Sequence, residues 1–357
     1  MSKLLKISAL VGAVALLATP ISAKKIKWKL AETWPSTLTP LASPPAKVAA
    51  LIKEMSDGEF VIKVEGKEKH KAPLGILDMV KGGQYQMGHS GSYYWKGKDI
   101  NTVWFTSMPF GMTPSEQYAW FYYGNGGKYM KEVYDKFGVY NYPGGNTGNQ
   151  MGGWYRKEIK TVDDLKGLKM RIPGLAGEVM AELGVNVTNI PAGELYTSLD
   201  RGTIDALEWV GPGMDIKMGF HKVAPYYYTG WHEPASEMQF MVNKKAFDKL
   251  PKKYQVMLET AMKASAMDMY IENFSASLEA WAKMQETNPN IKVMKFPKPV
   301  VKAMKSAADK VYERYSAKNA KFKEIYTDYK AYMNKARNWS MMMQYGYLEL
   351  NKEVNEK

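Results

Sequence analysis

The 357-residue sequence contains no cysteine. That absence excludes a disulfide framework and every thiolate metal site, so the folded chain must rest on its packed core alone. Histidine is scarce as well: His70, His89, His221 and His232 are the whole set. Their spacings match no metal-ligand pattern, and each reads as a surface or packing histidine. There is no phosphate loop ending in Gly-Lys-Ser/Thr and no G-x-G-x-x-G turn after a strand, which leaves a nucleotide cofactor without a cradle. Long hydrophobic runs are missing beyond the N-terminus. There, Lys3 and Lys6 precede an apolar stretch from Ile7 to about Ala18, followed by Ile21-Ser22-Ala23. This reads as an export signal over residues 1–23, cleaved after Ala23. An exported chain with a large core and no staples suits a bacterial periplasm.

What is present is basic: the formal net charge is +13. The lysines are spread along the chain beside Glu and Asp, with no Arg-rich tract, so they read as solvated faces rather than a nucleic-acid surface. Hydrophobic periodicity then gives the plan. "KIKWKLAE" and "EFVIKVEG" alternate with period two and read as strands, each followed by a helical stretch, and "QMGHS" makes a third strand. The same β-α-β-α-β order returns about 140 residues later through "LKGLKMRIPG", "NVTNIP" and "TIDALEW". Alternating elements of this kind build parallel sheets covered by helices, and two such halves enclose a cleft at the carboxyl ends of their strands. The fold class is therefore α/β. On this pattern His89, Ser90, Glu208 and Trp209 line the cleft.

The chain turns helical after Pro251. Val301, Met304, Ala308, Val311, Tyr315, Phe322, Ile325, Tyr329 and Tyr332 follow an alternating three-four spacing with one gap at Lys318. As one straight helix this stripe would run about 48 Å. It predicts a narrow buried seam covered by a second copy of the chain, and hence a homodimer.

Catalytic motifs are thin. "GHSGS" (88–92) copies a nucleophile elbow for four residues but ends in serine, leaving a secreted hydrolase using Ser90 as a rival reading. The stronger constellation binds rather than reacts. Arg171 ends a strand just before Pro173-Gly174, where a planar guanidinium can hold a carboxylate through two parallel hydrogen bonds. Glu208 and Glu233 stand beside tryptophans and chain breakers. Two acids in an aromatic pocket repel unless a proton or cation intervenes. The residues alone leave three readings open: a hard cation held by oxygen ligands, solvated acids, or a structural salt bridge.

"LKGLKMRIPG", "IPAGELYTSLDRGTIDALEWVGP", "YYYTGWHEP", "GHSGSYYWKGKD" and "PGGNTGNQMGGWYRKE" resemble the periplasmic substrate-binding proteins of tripartite ATP-independent periplasmic (TRAP) transporters. The similarity is to the branch that binds 2-oxo and 2-hydroxy monocarboxylates such as pyruvate and lactate. The resemblance implies a two-lobed periplasmic binding protein with a long C-terminal helical region, working with TRAP permease membrane subunits. Arg171 would grip the ligand carboxylate, with Tyr94 and Asn149 as further hydrogen-bonding partners. Gln150, Glu208, the Trp209 carbonyl and Glu233 would hold Na⁺ or Ca²⁺ bridging the ligand's carboxylate and its 2-oxo or 2-hydroxy oxygen. The expected boundaries are 24–147 plus 235–270 for lobe I, 148–234 for lobe II, and 271–357 for a helical tail carrying the dimer surface. The Lys-rich run in "GKEKHKAPLGILD" departs from the pattern and bears on the cleft rim or on the contact with the membrane partner, which leaves the preferred ligand open. Alternatives are metal-independent binding of a dicarboxylate or other organic acid by the same fold, and an exported sensory partner.

Overall fold

The computed structural model describes residues 25–355, so the export signal expected over residues 1–23 lies outside the described residues. In β1 (Ile26–Glu32), Trp28 and Leu30 turn into the core while Lys27 and Lys29 face water. β2 (Phe60–Glu65) and β3 (Met87–Ser90) both pair parallel with β1, and β4 (Val139–Asn146) lies further across the same sheet.

The second sheet repeats the theme. β6 (Lys169–Arg171) pairs parallel with β7 (Asn186–Thr188) and β8 (Ala206–Leu207), while β5 (Gly153–Tyr155) runs antiparallel to β8 and β9 (Tyr226–Tyr228). Two later strands then complete both sheets. β10 (Glu237–Asn243) fills the gap between β3 and β4, giving β2-β1-β3-β10-β4. β11 (Lys292–Met294) adds the far edge of the order β11-β9-β5-β8-β6-β7.

The chain therefore crosses between the lobes repeatedly, and two crossings run side by side. The Thr147 N–H donates to the Ser236 carbonyl and the Gln150 N–H to the Glu233 carbonyl, both at 3.0 Å. A Cβ on Gly230 would overlap the Gln150 carbonyl oxygen, so this approach requires glycine. The Lys252–Thr287 helix is the third link: Tyr254 packs in the lobe I core and Met284 in that of lobe II. Among the described residues no helix is long and apolar enough to cross a membrane.

The C-terminal stripe corrects the sequence-based expectation. Its helix breaks at Asn319 (φ −140°, ψ 108°), whose side chain accepts from the Phe322 N–H at 2.9 Å and caps a new helix. The result is two helices, Lys298–Lys318 and Ala320–Ser340, rather than one. The first lays Val300, Met304, Ala308 and Val311 near the Gly174–Glu182 helix of lobe II. The second turns Phe322 and Tyr329 onto Trp104 of lobe I, with ring centroids 4.7 and 5.2 Å away. Phe322, Ile325 and Tyr329 are buried within the chain, so that seam does not carry a dimer. Nor is the region 271–357 a free tail, since it supplies β11 and packs on both lobes.

Candidate functional site

Two adjacent strand ends of lobe II build the centre of the site. β6 and β8 are parallel neighbours with Arg171 opposite Leu207, so Arg171 and Glu208 emerge together at the carboxyl end of the sheet. Both are buried. The Arg171 Nη1 donates to the Glu208 Oε1 and, at 3.0 Å, to the Glu208 carbonyl, while its Nε reaches the Ile190 carbonyl at 3.2 Å. The guanidinium stands over the Trp209 ring, 5.4 Å from its centroid. Beyond Trp209 the chain is pinned: the Val210 and Gly211 N–H groups donate to the Asp215 carboxylate at 3.1 and 2.9 Å.

The paired crossings bring the remaining donors. His232 Nε2 lies 3.1 Å from Glu208 Oε2, so both Glu208 oxygens are engaged, one by Arg171 and one by the imidazole. Glu208, His232 and Glu233 each offer a ligand atom within 4.8 Å of the others. Burial, reinforced by the negative charge of Glu208, pushes the Glu233 carboxyl up to about 7. Gln150 donates its amide N–H₂ to Thr147 Oγ1 at 2.8 Å, which leaves its Oε1 buried with no hydrogen-bond partner. Tyr94 closes the pocket from lobe I, its ring 6.3 Å from Trp34, and burial raises its phenol above the usual range.

This donor set fits a hard cation. Glu208 and Glu233 are acids that crowd each other, His232 offers a ring nitrogen beside them, and Gln150 Oε1 is a buried oxygen without a partner. A cation there would offset the burial and the Glu208 repulsion that together raise Glu233.

Not every expected residue arrives. Asn149 is exposed at a bend after Gly148 (φ 72°) and borders a groove beside the Lys252–Thr287 helix. His89 and Ser90 lie inside lobe I rather than in the cleft. His89 Nε2 is 3.0 Å from the Gly144 carbonyl, and Ser90 Oγ accepts from Thr33 Oγ1 at 2.5 Å. Histidine spacing gave no hint of His232, although its place beside Glu233 in "GWHEP" was a usable signal.

A sequence-profile match spans residues 30–319 and is described as bacterial extracellular solute-binding protein, family 7. The chain belongs to this family. Its members are TRAP transport receptors, not enzymes, so the hydrolase reading of Ser90 falls. The monocarboxylate 2-oxoacid-binding periplasmic protein of Nostoc sp. is 39% identical over 323 residues, covering 90% of this chain and 88% of the relative. A TRAP periplasmic solute-binding protein from Pseudoalteromonas atlantica, solved with sodium and pyruvate bound, is 55% identical with a TM-score of 0.90, covering 91% of this chain and 99% of that one. Its counterpart from Colwellia psychrerythraea, solved with calcium and pyruvate, is also 55% identical with a TM-score of 0.91 and the same coverage, 91% and 99%.

Proposed function

We propose that the chain is a periplasmic receptor that closes on a small 2-oxo or 2-hydroxy monocarboxylate, with Na⁺ or Ca²⁺, and delivers it to a TRAP permease. The observation that carries this reading is the convergence of Glu208, His232 and Glu233 beside the Arg171 guanidinium, with the buried, unpartnered Gln150 Oε1 on the same crossing. Arg171 and Glu208 now satisfy each other. A ligand carboxylate takes over Arg171, Glu208 turns to the cation, and neither charge is left buried without a partner. Held there by Glu208 and Glu233, a cation would supply positive charge that the anionic ligand needs in a buried site. Tyr94 contributes a protonated hydroxyl, and Trp34 and Trp209 exclude water. The relatives solved with pyruvate and sodium or calcium support the ligand class.

A thermal-shift panel tests this. Pyruvate at about one hundred times its Kd adds about 2.7 kcal/mol of stability. The shift should appear with sodium or calcium present and shrink in a potassium buffer with chelator. An equal shift in both would favour the metal-independent reading.

We further propose a homodimer, on a different surface from the stripe. Met267, Ile271, Phe274, Leu278 and Trp281 form an exposed seam with alternating four-three spacing on the Lys252–Thr287 helix. Trp339, Met343, Tyr347, Leu350 and Val354 form a second exposed seam at the C-terminal end. Each is about 20 Å long. A two-fold axis would lay each C-terminal seam on its partner's long helix, covering both. Light scattering should give twice the chain mass, and Phe274→Asp should give the single mass. A monomeric wild type would remove the proposal.

A further inference from the structure

The Lys-rich run of residues 67–71 reaches the cleft through one residue. Lys67 opens the short Lys67–His70 helix, and its backbone N–H donates to the Trp34 carbonyl at 3.0 Å, which fixes it to the exit of β1. Its side chain then leaves lobe I. A Cβ built on Gly193 would lie 2.5 Å from Lys67 Nζ, so the ammonium rests against the lobe II turn that follows Pro191. The neighbouring acid is engaged elsewhere, with Glu68 accepting from Ser36. Among the described residues, no hydrogen bond or ion pair reaches Lys67 Nζ. The half-buried ammonium nevertheless borders the same small void as Arg171, together with Tyr94, Trp34, Asn189 and Ile190. That void is ≈ 10 Å³. It has room for about one water-sized group.

We propose that Lys67 sets the receptor's preference at the third carbon of its ligand, favouring a C3-hydroxylated 2-oxo acid over an alkyl one of the same size. The inference rests on the reading of Arg171 as the carboxylate grip. With the carboxylate held there, the ligand's substituent has the space between Arg171 and Lys67 to enter. A second carboxylate brings three non-hydrogen atoms and does not fit. A methyl group fits but strips water from the ammonium and offers no acceptor in return. A hydroxyl oxygen fills the same space and accepts from Nζ.

Calorimetric titration of the calcium-loaded receptor with 3-hydroxy-2-oxopropanoate and 2-oxobutanoate reads this directly. The two acids have equal numbers of non-hydrogen atoms and differ in the terminal group alone. The wild type should bind the hydroxylated acid at least about tenfold more tightly. In Lys67→Met the ratio should fall to about one, and Gly193→Ala, whose methyl occupies the ammonium's resting place, should lower it as well. Because both ligands are measured on each variant, a general loss of affinity cannot imitate the result. A wild-type ratio near one, or a ratio kept in Lys67→Met, overturns the proposal. Pyruvate binding alongside a ratio near one leaves the receptor reading standing and removes the Lys67 subsite alone. If none of the three acids binds the wild type, the receptor reading falls and takes the subsite with it.

Discussion

Asp215 and Glu233 are both buried acids of the ligand-binding half, and both are pushed up to about 7, chiefly by burial. Their surroundings differ. Asp215 accepts from Trp154 Nε1 at 3.0 Å, Tyr227 Oη at 2.9 Å and the N–H groups of Val210 and Gly211. Every one of those donors belongs to lobe II, so Asp215 is a structural knot. Glu233 instead faces another carboxylate, Glu208, whose charge adds to the cost of its own. A raised pKa therefore does not separate structure from function in this chain; the identity of the neighbours does.

That contrast predicts opposite behaviour when each acid is removed. Asp215→Ala strands the Trp154 and Tyr227 donors in the core and should cost about 3–5 kcal/mol in urea unfolding, with no recovery in calcium. Glu233→Gln should leave ligand-free stability within about 1 kcal/mol of wild type, because it removes a repulsion, yet abolish the stabilisation by calcium. Similar unfolding of the two variants would erase the distinction. A smaller effect is expected at the guanidinium. Arg171→Lys keeps the charge but not the two-pronged geometry, and should weaken pyruvate at least about tenfold by calorimetry.

The last effect is a pH slope. The folded-state value of Asp215 lies above its ordinary 3.8, so the folded protein holds this proton more tightly than the unfolded chain. Its contribution is therefore greatest near pH 4, declines as pH rises toward 7, and is flat above. The decline is at most about 1.4 kcal/mol per pH unit. Asp215→Asn should flatten that part of the stability profile in urea titrations between pH 4 and 7. An unchanged profile would show that the proton is not held.

The sequence made the two half-sheets legible because alternation and glycine stops repeat: β1 and β2 fall where period two places them, and β3 follows the Gly82-Gly83 stop. Arg171 and Glu208 were legible as strand-end residues, since register alone sets them side by side. Contributions from distant segments were less visible. β10 and β11 enter sheets whose other strands lie far away in the chain, and periodicity carries no address. The 301–332 stripe shows the same limit. Its spacing marks a buried face correctly, but Trp104 and Trp120 cover that face, not a second chain. The Lys-rich run was legible as bearing on the cleft rim, but nothing local reveals that Gly193 leaves room for Lys67 across the cleft.

The central claim is that ligand and cation share one site, held between Arg171 and the Gln150, Glu208 and Glu233 oxygens. Binding linkage tests it most directly, because two ligands in one site must strengthen each other by the same factor in either direction. Calorimetry would measure pyruvate affinity in potassium buffer with chelator and in saturating calcium, then calcium affinity with and without pyruvate. The account predicts that calcium tightens pyruvate and that pyruvate tightens calcium by an equal factor, with both gains lost in Glu208→Gln. Pyruvate binding that is indifferent to calcium, sodium and chelator alike would contradict it.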